Sequence, residues 1–470
     1  MALGRRSREQ QPSFWIAVDE LPRSEGHVFY RKLDQLLRAA GIDEFVERLC
    51  ESYYHDTLGR PGIPPGVYFR MLLVGYFEGL GSQRGIAWRC ADSLSLRAFL
   101  GIPLGKETPD HSSLTRVRDR LPLSVHQQVF CFVLQVADEK GLLKGKTVGV
   151  DATTLEADAA MKSIVRRDTG EDWQEYVQRL MQEAGQIEPG DEPTAEEIAR
   201  FDRQRKDKKV SNQEWRSETD PDSRITKMKD GRTHLAYKAE HVVDLDTELI
   251  LAAEVYPADA ADVDTIGPSL SQAQDNLLQA ESDAEIEETV ADKGYSKNET
   301  LAELEFTEGL RTYIAEPQHA HRRNWKDKPD EQRQAVTNNR RRTRGQRGRA
   351  LQRKRSEKVE RSFAHVCETG GSRRTWLHGI EKVRKRYVMS AMARNLGLVL
   401  RRFFGIGTAR SLQGEGSLAD NLYVALFNTL AALARLLTSI PRADRQKPTT
   451  QQPLAMAPKK HQKLTSSTGC

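Results

Sequence analysis

At 470 residues, 30% of them charged and 38% hydrophobic, the chain has enough material for two or three domains and a substantial core. No run approaches the ~18 apolar residues of a membrane span, and Met1-Ala2-Leu3-Gly4-Arg5-Arg6 contains no signal-peptide core. The cysteines at 50, 90, 131, 367 and 470 include no C-x-x-C pair, which argues against a disulfide framework or a zinc site and points to a cytoplasmic protein. The formal net charge of +5 hides a strong local asymmetry.

A flexible stretch at 1–27 is expected to precede a helical region at 28–140. Phe29, Leu33, Leu36 and Leu37, then Phe45 and Leu49, recur at helical spacing with a break at Gly41, and Gly59-Arg60-Pro61-Gly62 marks a loop. A strongly apolar helix follows, with Tyr68, Met71, Leu72, Val74 and Tyr76. In Pro109-Asp110-His111-Ser112-Ser113-Leu114 the residues Pro109, Asp110 and Ser112 are helix-start types, and Arg116, Arg118 and Arg120 line the turns beyond. This element reads either as helix-turn-helix-like, offering its arginines to DNA, or as a basic solvated helix. Val125, Val129, Phe130, Val133 and Leu134 complete a small bundle.

The chain is organised around Thr147-Val148-Gly149-Val150-Asp151-Ala152-Thr153-Thr154, an apolar strand closed by an acid. Burying that carboxylate is costly unless a cation pairs with it. Residues 155–232 are rich in alternating charge and read as exposed helices and loops inserted into a domain. His234–Val243 then reads as a strand, Asp244–Thr247 as a hairpin turn and Glu248–Val255 as the partner strand. Residues 262–280 suit a crossover helix. Glu287–Asp292 is a strand ending in a second acid, Asn298–Leu304 a helix, and Arg311–Ala315 a further strand. The fold class is therefore α/β, a mixed sheet with flanking helices and a charged insertion, preceded by an all-α region. Asp151 and Asp292 fall at the C-terminal ends of adjacent strands, where ligands of open sheets collect.

Between 322 and 361 there are sixteen Lys or Arg against five acids, an excess that attracts a polyanion. Its densest part holds Arg340, Arg341, Arg342, Arg344, Arg347 and Arg349, and the glycines at 345 and 348 argue for a mobile strip over a regular helix. Trp325 reads as a packing residue or as a base-stacking one. Glu357–Val366 is an amphipathic helix with Val359, Phe363 and Val366 inward, leaving Glu360 near the sheet edge and Glu357 as its rival. Three carboxylates suit Mg²⁺, with Mn²⁺ as a substitute, because hard divalent cations take oxygen ligands. Two such ions about 3.5–4 Å apart can hold the attacking and leaving oxygens of a phosphodiester displacement. Asp151 would bridge them, with one further acid on each.

Several pieces together resemble the DDE transposases of bacterial insertion sequences, over about residues 28–405. They are Ile63–Leu80 with its Tyr-Phe-Glu-Gly-Leu ending, Pro109–Leu114, Val150-Asp151-Ala152-Thr153, Val290-Ala291-Asp292-Lys293-Gly294-Tyr295, and Lys358-Val359-Glu360-Arg361-Ser362-Phe363. The resemblance implies an RNase H-like catalytic domain at 141–405, an N-terminal DNA-binding region, and Asp151, Asp292 and Glu360 as catalytic and metal-holding acids. It also implies double-stranded DNA as partner, both terminal inverted repeats and target, with a homodimer joining two ends. Many relatives carry Tyr and Arg seven and four residues before the Glu and Lys seven after; here those places hold Arg353, Ser356 and Cys367, and Arg353 and Arg355 are candidates for the missing phosphate contacts. A nuclease that cuts without joining and a catalytically silent DNA-binding regulator are the alternatives. A C-terminal helix over 406–440 and a disordered tail over 441–470 are expected to end the chain.

Overall fold

Seven helices come first in the computed structural model, which describes residues 26–55, 62–206, 211–228, 231–318 and 323–409. They are α1 (Val28–Ala40), α2 (Ile42–Cys50), α3 (Pro65–Glu78), α4 (Gln83–Asp92), α5 (Leu94–Phe99), α6 (His111–Arg120) and α7 (Leu123–Glu139). The flexible stretch expected at 1–27 and the helix and tail expected beyond 406 lie almost wholly outside the described residues. α1 and α2 break at Gly41, and Asp110 caps α6 by accepting the Ser113 N–H at 2.7 Å.

α3 is apolar on every side and sits at the centre of this bundle, with Tyr68, Met71, Leu73, Val74 and Phe77 buried. The exception is Arg70, only 5% exposed. Its guanidinium reaches Asp34 of α1 and Asp43 of α2 at 2.7 Å each, and the Phe99 carbonyl of α5 at 2.9 Å. One buried cation therefore ties four helices, and its two acids offset the cost of its desolvation.

The second half begins with β1 (Thr147–Glu156), β2 (Ile164–Arg166), α8 (Trp173–Glu183), α9 (Ala195–Gln204), β3 (Trp215–Ser217) and β4 (Arg224–Lys227). It continues with β5 (Thr233–Asp244), β6 (Ile250–Pro257), α10 (Asp262–Gln279), β7 (Glu288–Ala291), α11 (Asn298–Ala302) and β8 (Arg311–Ile314). The long helices α12 (Asp330–Arg344), α13 (Gln346–Phe363) and α14 (Ile380–Phe404) close it. The main sheet has the order β4-β5-β1-β7-β8, with β6 also paired to β5. β1 is antiparallel to β5 and parallel to β7, and β7 is parallel to β8. This is the mixed, RNase H-like sheet expected from the sequence.

Side chains alternate across the sheet, so neighbours on β5 point to opposite faces. His241 faces α13, where its Nδ1 lies 2.8 Å from Ser362 Oγ and its ring stacks on Phe363. Glu240 faces α10 and accepts from Thr265 Oγ1 at 2.8 Å. Helices thus cover both faces. α7 packs on α14 and α10, so the N-terminal bundle and the sheet belong to one unit.

Three asparagines each occupy one residue of the sheet's outer strands. Asn339 of α12 takes both the N–H and the C=O of Ile314 on β8, each at 2.8 Å. Asn395 of α14 does the same to Ile250 on β6, and Asn212 to Ile225 on β4.

Three sequence expectations change. β1 does not stop at Asp151 but runs on to Glu156, because the twelve-residue β5 offers it partners as far as Ala236. The charged insertion carries its own small core of Val177, Met181 and Ile198, with Asp172–Glu175 and Thr194–Glu197 capping boxes on its helices, and its β4 joins the main sheet. The basic block is two regular helices and no mobile strip. Gly345 marks the corner between them, and a Cβ at Gly348 would lie 2.2 Å from the Arg342 carbonyl, so only glycine lets α13 start there.

Replacing Arg70 with Ala leaves Asp43 without its guanidinium and Asp34 with only the exposed Arg38. The expected cost is about 3 kcal/mol of unfolding free energy, read as a lower urea midpoint at unchanged slope.

Candidate active site

The parallel register of β1 with β7 pairs Val148 with Thr289 and Gly149 with Val290. Continued for two residues, it sets Asp151 beside Asp292. The Asp151 side chain is 25% exposed, and its Oδ2 accepts from Arg355 Nη1 of α13 at 2.6 Å. Burial pushes the Asp151 carboxyl above the ordinary aspartate range; the Arg355 guanidinium opposes this, and the negative charge of Asp292 adds to it. Asp292 caps the short 3-10 turn Lys293–Tyr295, its Oδ1 accepting the Gly294 N–H at 2.8 Å.

Arg355 reaches Asp151 because α13 lies directly on β1. Gly149 shares a face with Asp151, and a Cβ on it would come within 2.9 Å of Val359 and 3.0 Å of Arg355. A side chain at 149 would push the helix off the strand.

The turn after Asp292 is anchored from below by a polar cluster that sequence reading missed. Tyr295, 1% exposed, donates to Glu240 Oε2 at 2.8 Å, and burial pushes the Tyr295 hydroxyl well up. Lys238 reaches Thr265 at 2.8 Å and Asp262 at 2.6 Å. The available signal was the Lys-Ala-Glu in the otherwise apolar β5, since charged residues two apart in a central strand need partners on one face.

Glu360 is exposed and accepts from Ser356 Oγ at 2.9 Å. Among the described residues no group of three or more His, Cys, Asp or Glu is placed so that it could hold a metal ion. Helical spacing puts Gln352, Ser356 and Glu360 on one stripe of α13, and Gln352 donates to the Ala291 carbonyl at 2.9 Å, one residue before Asp292. Glu357 belongs to another flank: it pairs with Arg361 at 2.6 Å, and Arg361 reaches Glu248 at 2.8 Å.

The arginines sort into two groups. Arg340 pairs with Glu316 at 2.8 Å, Arg342 with Glu305 at 2.6 Å and Arg347 with Glu288 at 2.5 Å, while Arg341 lies 3.5 Å from Asn338. Arg344, Arg349 and Arg353 are exposed and line, with Arg340 and Trp325, a groove of about 1010 Å³. Ala315 and Gln352 form its inner wall, so it opens at the C-terminal ends of β7 and β8. In α6, Arg116 is exposed and Arg120 lies over the Tyr54 ring. Arg118 does not face outward: it is 7% exposed and lines a cavity of about 290 Å³ with Tyr68, Lys385 and Arg386, because the apolar face of α6 turns it toward α14.

Two family comparisons match. Residues 18–120 match the family described as Transposase domain (DUF772), and residues 191–396 match Transposase DDE domain. Asp292 and Glu360 fall inside the second match, and Asp151 precedes it. No curated protein and no solved structure matches the chain. Among the described residues no helix is long and apolar enough to cross a membrane. With a transposase helical domain, a transposase DDE domain and the mixed sheet that carries two adjacent aspartates, the chain belongs to the DDE transposases of insertion sequences.

Proposed function

We propose that this transposase binds the terminal inverted repeats of its element, cleaves the strand there and joins the freed 3′-OH to target DNA, as a homodimer that holds two ends. The observation that carries the reading is the parallel β1–β7 register, which continued by two residues sets Asp151 beside Asp292, whose charge acts on the Asp151 carboxyl. Two like charges held side by side, one of them partly buried, favour a cation between them. Their donor set is hard oxygen, which fits Mg²⁺ or Mn²⁺ with water completing the shell. Asp151 and Asp292 would hold such an ion, and Glu360 would approach from its stripe on α13. When bound, a divalent cation supplies charge stabilisation to the phosphoryl transition state.

The residues of the chain supply the rest. Arg344, Arg349 and Arg353 face the groove and suit backbone phosphates, fixing the strand without reading its sequence. Trp325 stands among them as a flat apolar face. Arg340, Arg342 and Arg347 pair with acids of the fold and so hold α12 and α13 in place. The Gln352 side chain fixes the height of α13 over the ends of β7 and β8. Arg116 and Arg120 offer a second basic surface on α6.

The test uses purified protein and a duplex carrying the DNA that flanks its own gene. Asp151→Asn and Asp292→Asn are expected to lower metal-dependent nicking about 1000-fold while leaving duplex affinity within about twofold. Comparable nicking by Asp151→Asn would overturn the assignment. Glu360→Gln should match that loss and Glu357→Gln should stay near wild type; the reverse ranking would transfer the third acid to Glu357. Cleavage products without joined products would make the protein a nuclease.

Salt titration separates the arginines. Neutralising Arg344, Arg349 and Arg353 together should reduce the slope of log affinity against log salt by about 2–3. Arg342→Gln should keep that slope and instead lower the melting temperature. A slope unmoved by the triple variant would remove the groove from DNA binding.

A further inference from the structure

Asp151 already has a cation. Arg355 donates to the carboxylate oxygen Oδ2 at 2.6 Å, while the other oxygen, Oδ1, takes the Ala152 N–H at 2.9 Å. The Arg355 side chain is 11% exposed, and its Nε has no hydrogen-bond partner. A guanidinium that gives one bond and holds another donor unspent in a desolvated place is poorly satisfied. Its neighbours on α13 differ: Lys354 pairs with Asp246, and Lys358 and Arg361 with Glu248, acids on the far turn of the β5–β6 hairpin. Gly149 leaves the Arg355 arm lying across β1, and Arg353 and Gln352, within one turn of it on α13, line the groove.

We propose that Arg355 is a placeholder at Asp151, occupying the carboxylate until a DNA strand enters and then moving to a backbone phosphate, which frees Asp151 for the divalent cation. The inference rests on the reading of Asp151 as a metal-holding acid. The physical reason is competition. A guanidinium and a divalent cation both seek Oδ2, and a phosphate is the one incoming group that can satisfy Arg355 with paired N–H donors, including the Nε now unspent. Metal and DNA binding are then positively coupled, each raising the affinity of the other by the same factor. Without DNA the two aspartates do not stand as an uncompensated pair, and the metal is held back from a protein that has nothing to cut.

Mn²⁺ binding to the full chain, followed by the electron paramagnetic resonance of free Mn²⁺, tests this without reading activity. In the absence of DNA, Arg355→Gln should bind Mn²⁺ about tenfold tighter than wild type, the size of one charge-assisted bond removed from the competition. Arg355→Lys, which keeps the charge but loses the planar fork, should bind several-fold tighter and covers the case in which the Gln variant does not fold. Adding the duplex should tighten Mn²⁺ binding by wild type more than by Arg355→Gln. Asp151→Asn should bind weakly in both states. Equal Mn²⁺ affinity for wild type and both Arg355 variants, with Asp151→Asn impaired, would overturn the placeholder and leave the site reading intact. Undiminished Mn²⁺ binding by Asp151→Asn would overturn both.

Discussion

Everything at the site depends on the parallel pairing of β1 with β7. Parallel strands need a long crossover between them, and here β5, β6 and α10 supply it, so residues far apart in sequence end side by side. The pairing sets which side chain faces which, since a slip of one residue would turn Asp151 to the face of α10 and Ala152 toward α13. The same face of β1 carries Gly149, whose missing side chain admits α13. Strand register and helix approach are thus one constraint: the acid, its guanidinium and the stripe leading to Glu360 all follow from residues 149 and 151 sharing a face.

A second layer stabilises this arrangement from the opposite side. Tyr295, Glu240, Thr265 and Lys238 form a buried polar cluster that pins the turn after Asp292 to α10. Such a cluster is stable only when nearly all of its members are bonded, and it gives in return a definite position for the turn. The helical bundle is built on the same plan around Arg70, where a charge buried among apolar helices fixes which acids must meet it. The aspartates sit on a scaffold whose rigid points are polar.

Much of this was legible in the chain. The strands, the hairpin at Asp244–Thr247, the crossover helix and the inward set Val359, Phe363 and Val366 follow from spacing and turn residues, because each is a local pattern. The basic helices were not legible, because Gly345 and Gly348 look like breakers until the corner between α12 and α13 gives them a place. Arg118 was misread for a similar reason: its neighbours Arg116 and Arg120 suggest a solvated row, but only tertiary packing decides that the middle one turns inward. Position 360 lies on a helix that spacing predicts, whereas the way Gln352, Ser362 and Arg355 hold that helix to the sheet depends on tertiary contacts.

The asparagines on Ile314, Ile250 and Ile225 have a consequence for assembly. A sheet's outer strands present unpaired N–H and C=O groups that recruit strands from other chains. Here one amide occupies both groups of one residue on each strand, at the end of β8, at the start of β6 and within β4, acting as a single rung of a strand that is never added. A second copy of this chain therefore meets an interrupted ladder at these three places. Each such rung makes edge-to-edge pairing of two copies less favourable, which works against sheet-to-sheet association.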